Sequence, residues 1–211
     1  MLFAFCFSML WLPVRILYPT KVIGKENIKK VEGAVLTCNH YSNMDPIILD
    51  IYLNKKIMFL GKQELFKNKL FAYCLKRFGG YPVNRDKPEL SSIKFALNCL
   101  KDNKFLGVFP EGTRNKDLGE NELLQLKNGA IMFASKSDKS IIPMIIYKRP
   151  RIFRRNYIVV GEEIKIEGEN SKKLTPEEVE SNTKRLVGAL KDLRTSLDLK
   201  FERKRKNKLV K

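Results

Sequence analysis

Residues 34–46 read Ala-Val-Leu-Thr-Cys-Asn-His-Tyr-Ser-Asn-Met-Asp-Pro, a short apolar run followed by a more polar segment. The apolar run, Ala34 to Cys38, is typical of a buried β-strand. Pro46 suits the first turn of a helix, and Asp45 suits the capping position before it. The stretch therefore predicts a strand, a tight turn that holds His40, and a helix, which is the repeating unit of an α/β fold.

Strand-like and helix-like segments alternate along the rest of the sequence. Pro88 to Lys101 has helical periodicity, and Thr175-Pro176-Glu177-Glu178 has the form of a capping box at the start of another helix. This alternation favours a single α/β domain with a largely parallel central sheet flanked by helices. The further strands predicted from short apolar runs are Ile57 to Leu60, Tyr81 to Val83, Phe105 to Phe109, Ile141 to Tyr147 and Tyr157 to Ile166.

Each of the two helices carries one apolar face that we expect to pack on the sheet. In such folds, ligands bind in the crevice at the carboxyl ends of the strands. The residues expected to face the core are Leu90, Ile93, Leu97 and Leu100 in the first helix, and Val179, Leu186, Leu190, Leu193 and Leu197 in the second.

The charge of the chain is its most unusual bulk property. Lys and Arg number 41 against 23 Asp and Glu, which gives a formal net charge of +18. Such an excess predicts an anionic partner, either nucleic acid, an anionic membrane surface or an acidic protein. The aromatic and basic residues form no recognisable nucleic-acid-binding module, so we expect no nucleic-acid partner.

Residues 1–18 are predicted to form a membrane-associating segment. Met1 to Leu12 is apolar and uncharged, but it is shorter than the roughly 20 residues that a spanning helix needs. Neither the leading positive charges nor the small-residue cleavage site of a signal peptide is present. We expect a short apolar helix that lies in one leaflet. A core-packing helix, or a spanning segment that runs to about Pro19 and tolerates Arg15, is the alternative.

Two other segments are candidates for membrane contact. Leu65 to Phe78 interleaves large apolar side chains with Lys and Arg, which suits either lipid contact or core packing. Lys200 to Lys211 has seven basic residues against Glu202 alone, which suits either a frayed, solvated end or a polybasic membrane contact. We therefore divide the chain into a membrane-associating segment 1–18, a central domain 19–199 and a basic tail 200–211. The expected location is the cytoplasmic face of the cell membrane, as a monotopic or peripheral protein.

His40 is the single histidine of the chain, and Asp45 follows it by five residues. A carboxylate bonded to one ring nitrogen of histidine leaves the other nitrogen to act as a base near neutral pH. In a continuous helix the two side chains would point about 140° apart, so contact requires His40 to lie in the strand-to-helix turn. The pair then predicts a catalytic dyad. The alternative is that Asp45 only caps the helix and His40 only makes local hydrogen bonds.

Two arginine-bearing blocks follow other predicted strands. Phe109 to Asn115 reads Phe-Pro-Glu-Gly-Thr-Arg-Asn, in which Arg114 offers planar donors suited to phosphate and Glu111 can accept a hydrogen bond from a hydroxyl. Arg85 follows the predicted strand Tyr81 to Val83. If the strands are parallel, both arginines lie at the sheet edge that holds His40. That arrangement suggests a phosphorylated substrate with a hydroxyl to deprotonate, and a solvated surface turn is the alternative.

In their order along the chain these blocks resemble the glycerolipid acyltransferases, most closely the bacterial 1-acylglycerol-3-phosphate (lysophosphatidate) acyltransferases. The resemblance runs from about Val22 to Gly161. The residues that carry it are Asn39-His40-x-Ser42-x-x-Asp45, the Arg85 block, Phe109 to Arg114 and Ile142-Pro143-Met144, with Gly61 to Leu65 and Leu126 to Ala130 as further pieces.

The resemblance implies an O-acyltransferase of phospholipid biosynthesis. Such an enzyme moves a fatty acyl group from an acyl carrier protein or CoA thioester to the sn-2 hydroxyl of lysophosphatidate, giving phosphatidate. His40 would be the general base and Asp45 would orient it. No metal and no cofactor besides the thioester co-substrate is implied. The implied substrate-binding residues are Arg85 and Arg114 on the phosphate, Glu111 on the glycerol, Gly112 and Thr113 in the same block, and Lys62 as a further anion contact.

Three alternatives stay open. A sister acyltransferase would use glycerol 3-phosphate or another lysophospholipid as acceptor. Cys38 lies two residues before His40 and is a candidate nucleophile for an acyl-enzyme, although a buried strand cysteine is the simpler interpretation. A non-enzymatic basic protein that binds a membrane or nucleic acid would explain the charge, but not the lone histidine in a motif that carries a carboxylate.

Overall fold

The computed structural model describes residues 11–84, 90–114, 126–169 and 173–209. They form a single α/β domain around a seven-stranded sheet. The strands are β1 (Thr20–Ile23), β2 (Val35–Cys38), β3 (Ile57–Lys62), β4 (Gly80–Val83), β5 (Phe105–Val108), β6 (Ile141–Ile146) and β7 (Asn156–Val160). Their order in the sheet is β1-β7-β6-β2-β5-β3-β4. The predicted fold class, a largely parallel sheet flanked by helices, is confirmed.

Five of these strands match the predicted ones to within two residues, and the other two strands need correction. Tyr157 to Ile166 was expected to be one strand, but β7 ends at Val160, and Ile164 makes only an isolated bridge to Ile141. β1 was not expected, because Thr-Lys-Val-Ile is short and only half buried at the edge of the sheet.

The helices connect the strands and cover both faces of the sheet. They are α1 (Lys25–Lys29), α2 (Asp45–Leu53), α3 (Lys69–Arg77), α4 (Leu90–Lys101), α5 (Gly129–Ser137) and α6 (Pro176–Leu209), with a 3₁₀ turn at Gln63–Phe66. One face of the sheet packs with α2 and the helical residues 11–17 in a core that includes Leu36, Ile48 and Ile142. The other face packs with α4, α5 and α6 in a core that includes Val35 and Leu190.

The direction of the strands defines one functional edge of the sheet. β2 is parallel to β5 and β6, and β3 is parallel to β5 and β4, so these five strands end at the same edge. β7 is antiparallel to β6, and β1 is parallel to β7, so both of these strands begin there. We call this side of the molecule the carboxyl edge. It is the side on which ligands bind in parallel α/β sheets.

α6 begins with the predicted capping box. The Thr175 amide donates to Glu178 Oε2 at 2.8 Å, and the Glu178 amide donates to Thr175 Oγ1 at 3.3 Å. Val179, Leu186, Leu190 and Leu197 are buried as expected, whereas Leu193 is half buried. The helix continues to Leu209, so the backbone of most of the predicted basic tail is helical rather than frayed.

Leu90, which was expected to face the core, is instead 74% exposed. It is the first residue of α4 and does not lie on the buried side of that helix. Ser92, Ala96, Cys99 and Leu100 form the buried side of that helix.

Residues 1–10 of the predicted membrane-associating segment lie outside the described residues, and residues 11–17 are helical. Within the described part of the chain, none of the helices has the length and apolar character to cross a membrane. In the Leu65 to Phe78 segment, Leu65 and Tyr73 are 37% and 43% exposed, so this segment is not packed entirely in the core.

Candidate active site

The turn after β2 is fixed to the neighbouring strand by Asn39. This buried side chain accepts a hydrogen bond from the Ile146 amide at 2.7 Å and donates to the Ile146 carbonyl at 2.9 Å. Both ends of one side-chain amide are therefore held by the last residue of β6. Because Asn39 directly precedes His40, the carboxyl end of β6 sets the position at which the histidine backbone leaves the sheet.

His40 and Asp45 are in direct contact in this turn. His40 Nδ1 lies 2.9 Å from Asp45 Oδ2, and the two residues are 7% and 0% exposed. A carboxylate only accepts hydrogen bonds, so Nδ1 carries the proton and donates it to Oδ2. The other ring nitrogen, Nε2, is then the one that can take a proton from a substrate. The expectation that His40 lies in the strand-to-helix turn is confirmed.

Asp45 has a different local role from the predicted helix cap. α2 begins at Asp45 itself, Met44 is the capping residue, and no side chain caps the helix. Asp45 Oδ2 instead turns back to accept hydrogen bonds from the amides of Tyr41 at 2.6 Å and Ser42 at 2.7 Å. The carboxylate thus holds both the imidazole and the backbone of the turn, at a helix N-terminus whose dipole favours negative charge.

Phe109 holds the His40 ring from one side. The two rings stack with centroids 4.0 Å apart and an interplanar angle of 17°, and Phe59 stacks behind Phe109 at 5.7 Å. Phe109 directly follows β5, the strand adjacent to β2. The ring plane of the histidine is therefore fixed by packing, and its in-plane orientation by Asp45.

The Glu111 block begins at this stacked phenylalanine. The Gly112 amide donates to the Phe109 carbonyl at 2.9 Å, and Gly112 has φ of +68°, a conformation that favours glycine. Glu111 is 3% exposed, whereas Thr113 and Arg114 are exposed. The block therefore has a buried carboxylate two residues after the phenylalanine that stacks on His40, and a cation on its outer side, both at the carboxyl edge.

Lys127 is a basic residue of this region that the sequence did not single out for a role. Its amide donates to the Pro110 carbonyl at 2.7 Å. Its side chain crosses Gly112 so closely that a Cβ at residue 112 would lie 2.8 Å from Lys127 Cε. Glycine at position 112 therefore lets this lysine lie across the turn.

Of the other two predicted anion contacts, Lys62 is among the described residues and Arg85 is not. Lys62 is the last residue of β3, and its Nζ lies 3.0 Å from Glu64 Oε1 in a half-exposed ion pair. Arg85 lies outside the described residues. The strand before it, β4, ends at the carboxyl edge, three strand spacings or about 14 Å from β2.

The electrostatics of the site keep Cys38 protonated. Burial raises the pKa of its thiol well above the usual value, and the nearby carboxylates of Asp45 and Glu111 add to that effect, against a lowering hydrogen bond with Ile146. Cys38 is 1% exposed. A thiol must ionise to act as a nucleophile, so this environment disfavours an acyl-cysteine.

Among the described residues, no three His, Cys, Asp or Glu side chains are grouped so that they could hold a metal ion. The described residues bring together an oriented histidine next to a buried carboxylate, with exposed cations at the same edge of a parallel sheet.

Comparison with known protein families gives this geometry its context. The model of the family described as Acyltransferase matches residues 19–147, which is more than half of the chain and includes both the dyad and the Glu111 block. The chain belongs to the acyltransferase family. As the match ends at Tyr147, α6 and β7 of this acyltransferase lie beyond the matched region.

The acyltransferase is similar to several enzymes of one named activity. It is 29% identical over 204 residues to the 1-acyl-sn-glycerol-3-phosphate acyltransferase of Bacillus subtilis (strain 168), an alignment that covers 93% of this chain and 99% of that protein. It is 31% identical over 140 residues to the enzyme of the same name from Borreliella burgdorferi, which covers 65% and 54% of the two chains.

A solved structure supports the same fold. The 1-acyl-sn-glycerophosphate (LPA) acyltransferase PlsC from Thermotoga maritima superposes with a TM-score of 0.65 and 24% identity, over 85% of this chain and 72% of that one. At this level of identity the match supports the architecture of the acyltransferase, a mostly parallel sheet flanked by helices.

Arg194 is the site residue that the sequence-based prediction missed most completely. This α6 arginine is 6% exposed, and it donates from Nη1 to Tyr41 Oη at 3.3 Å and from Nη2 to the Tyr147 carbonyl at 3.0 Å. Tyr41 is the residue between His40 and Ser42. The available signal was its spacing, since Arg194 follows Leu190 by four residues on the apolar stripe of the helix.

Proposed function

We propose that this acyltransferase moves a fatty acyl group from an acyl thioester to the sn-2 hydroxyl of lysophosphatidate, giving phosphatidate. The observation that carries the proposal is the buried His40 Nδ1–Asp45 Oδ2 bond of 2.9 Å at the carboxyl edge of the sheet. The names of the relatives from Bacillus subtilis and Borreliella burgdorferi support the choice of acceptor.

In the proposed mechanism His40 is the base. Nε2 takes the proton of the sn-2 hydroxyl as its oxygen attacks the thioester carbonyl, which forms a tetrahedral intermediate. The intermediate then expels the thiolate, which receives the proton from the imidazolium. Asp45 stabilises the imidazolium and keeps Nε2 free of hydrogen in the resting state. The ester bond forms, the thioester bond breaks, and no acyl-enzyme is needed.

The acceptor is held by the cations and the carboxylate of the same edge. Arg114 is exposed and Glu111 is buried, an arrangement that suits phosphate on the outside and a glycerol hydroxyl further in. We assign phosphate contacts to Arg114 and Arg85, a glycerol contact to Glu111, backbone contacts to Gly112 and Thr113, and a secondary anion contact to Lys62. No metal or cofactor takes part besides the acyl thioester.

The membrane is the proposed place of action. Residues 1–18 would associate with the cytoplasmic face of the cell membrane, where a lysophospholipid acceptor resides, and the positive charge of the chain suits an anionic surface. Positive charge also suits an acidic acyl carrier protein, so both carrier protein and CoA are proposed as donors. A sister activity on glycerol 3-phosphate is the second candidate, because the same cations would bind its phosphate.

The test is a matrix of purified protein with acyl-CoA or acyl carrier protein thioesters and with lysophosphatidate, glycerol 3-phosphate or lysophosphatidylcholine as acceptor. We expect phosphatidate to form with lysophosphatidate, and no comparable product with the other acceptors. His40→Ala serves as the blank and Cys38→Ala as the matched control, which should retain turnover. Faster transfer to glycerol 3-phosphate would show that lysophosphatidate is not the preferred acceptor. An inactive Cys38→Ala enzyme would contradict direct transfer and would favour an acyl-enzyme on Cys38.

A further inference from the structure

The connection between β6 and β7 is the most basic exposed loop of the described chain that also exposes large apolar side chains. Residues 148–155 read Lys-Arg-Pro-Arg-Ile-Phe-Arg-Arg, and all five of the basic residues are exposed. At the tip, Ile152 is 52% and Phe153 is 73% exposed. Phe153 has φ of +56°, an uncommon conformation for an aromatic residue. We call residues 148–155 the arginine loop.

The arginine loop lies at the carboxyl edge, beside the His40 turn. It leaves β6 after Ile146, the residue that binds both ends of the Asn39 side chain, and it enters β7 at Asn156. The base of the loop is therefore one side chain away from the segment that holds His40. A surface that contacts the arginine loop therefore also lies beside the His40 turn.

A second exposed apolar pair joins the arginine loop. Leu12 and Ile16 are 56% and 57% exposed and lie four residues apart on the helical segment 11–17, so they share its outer face, while Val14 is buried. The Phe153 amide donates to the Leu17 carbonyl at 2.7 Å. Four of the large exposed apolar side chains thus belong to two connected elements at one edge.

The end of α6 reaches the same region. The Phe201 ring packs against the rings of Tyr147 at 5.0 Å and Tyr157 at 4.9 Å. Tyr147 directly follows β6 and Tyr157 lies in β7, so the two tyrosines flank the arginine loop. From Phe201 the helix backbone continues to Leu209, a further length of about 12 Å at 1.5 Å per residue. The sequence of that extension is again basic, with Arg-Lys-Arg-Lys at residues 203–206.

We propose that the arginine loop and the Leu12–Ile16 face form a docking surface for an anionic phospholipid bilayer. Ile152 and Phe153 would enter the headgroup region, and the flanking arginines would bind lipid phosphates. The apolar tip favours a bilayer over an acidic protein as the partner. Charge alone suffices to attract an acidic protein, whereas exposed aliphatic and aromatic side chains are stabilised most when they leave water for the acyl-chain region of a bilayer. The inference rests on the proposed function only in that docking would present His40 to a lipid acceptor.

Vesicle binding of the full chain tests this surface. Arg154→Gln/Arg155→Gln should bind phosphatidylcholine vesicles with 30% phosphatidylglycerol about thirtyfold more weakly than the unaltered chain, since each charge near such a surface contributes about 1 kcal/mol. Ile152→Ser/Phe153→Ser should weaken binding at least about tenfold, given the transfer energy of two large apolar groups. Lys101→Gln/Lys136→Gln, which removes exposed cations at the opposite edge, is the matched charge control and should bind normally.

A depth measurement keeps the proposal testable even if the N-terminal segment alone retains the chain on vesicles. In a Trp11→Phe background, Phe153→Trp places a single indole at the loop tip. Lipids brominated near the headgroup should quench its fluorescence. An unquenched indole, or unchanged binding of both loop variants, would overturn the docking surface. The proposal would also be overturned if Arg154→Gln/Arg155→Gln lost binding to acyl carrier protein but still bound vesicles normally. The arginine loop would then be a binding site for that protein.

Acyl-transfer rates measured in detergent and on vesicles distinguish the proposed docking surface from the proposed function. With short-chain lysophosphatidate dispersed in detergent, the loop variants should transfer acyl groups at the rate of the unaltered chain, since they leave the His40 site intact. With acceptor embedded in vesicles, their rate should fall in parallel with binding. Loss of transfer to lysophosphatidate in every format would contradict the proposed function, whereas equal rates on vesicles would contradict only the docking surface.

Discussion

At the scale of single residues, the chemistry depends on how firmly one imidazole is held. Asp45 binds His40 Nδ1 together with the amides of Tyr41 and Ser42, and Phe109 stacks on the ring at 4.0 Å. Both the tautomer and the plane of the ring are thus determined before a substrate arrives. This preorganisation is what general-base catalysis requires, because proton transfer depends on a base already in the correct orientation.

Asp45→Asn tests the role of the carboxylate. The amide oxygen can replace Oδ2, which accepts the hydrogen bonds from His40 Nδ1 and from both backbone amides, but the neutral side chain no longer stabilises the imidazolium that forms when Nε2 takes a proton. We expect the rate of acyl transfer to fall by about 10²–10⁴-fold with the chain still folded. Initial rates and thermal unfolding measure this. A variant with the original rate would show that the carboxylate serves only the backbone of the turn.

At the scale of elements, α6 braces the turn that carries the histidine. Arg194 reaches across the end of the sheet to bind both Tyr41 and the Tyr147 carbonyl. The helix therefore connects the His40 turn with the start of the arginine loop. α6, which supplies Arg194, lies beyond residues 19–147, the part of the chain that the family model matches.

Arg194→Met tests that brace. Methionine retains much of the buried volume but donates to neither oxygen, so the turn loses its outer support. We expect kcat to fall roughly tenfold with little change in KM, since small displacements of catalytic groups affect the chemical step most. Arg185→Met, on the same helix and in an exposed pair with Glu167, is the matched control and should retain its rate. Equal rates for both variants would contradict a positioning role.

Asp50 gives α2 a pH-dependent stability. Burial raises the pKa of this carboxyl from 3.8 to about 6, against the lowering effects of the hydrogen bond from the Ile57 amide and the charge of Lys56. The folded chain therefore binds more protons than the unfolded chain between about pH 4 and 6, and the stability due to this group falls as pH rises through that window.

Asp50→Asn should remove this dependence while its side-chain oxygen still accepts from the Ile57 amide. The free energy of unfolding of the variant, relative to the unaltered chain, should therefore increase between pH 4 and pH 7. The expected gain is on the order of 2–3 kcal/mol. Urea titrations across that range measure it. A difference that is constant with pH, or one that decreases, would contradict the assignment.

Local patterns of the sequence predicted much of this architecture. The apolar runs predicted six of the strands, the capping box at Thr175 is confirmed, and the five-residue spacing correctly required His40 to lie in a turn. Long-range arrangement was not accessible in the same way. Neither the position of β1 beside β7 nor the antiparallel direction of β7 follows from periodicity, because pairing is decided by contacts distant in sequence.

The site residues show the same limit. Asp45 resembles a helix cap in sequence, yet its carboxylate turns back because two amides and an imidazole compete for it. Arg194 lies about 150 residues from Tyr41, so only the folded chain reveals their contact. Motif order pointed to His40 and Glu111, and the three-dimensional structure adds Asn39, Phe109 and Arg194, which hold the turn in place.

At the scale of the whole molecule, the sheet gathers its functional features at one edge. The His40 turn, the Glu111 block and the arginine loop all lie where the parallel strands end, and the helical segment 11–17 ends there too. An enzyme that docks on a bilayer through this edge would meet a lipid acceptor without extracting it fully. The proposed chemistry and the proposed docking surface therefore favour the same orientation.

The central claim is that His40 is the base of acyl transfer, and one rate tests it most directly. The initial rate of phosphatidate formation from lysophosphatidate and acyl thioester is measured for the unaltered chain and for His40→Ala, at equal concentrations of folded protein. We predict that the variant is slower by at least about 100-fold, the lower range for loss of a general base. A His40→Ala protein that forms phosphatidate at the original rate would contradict the account.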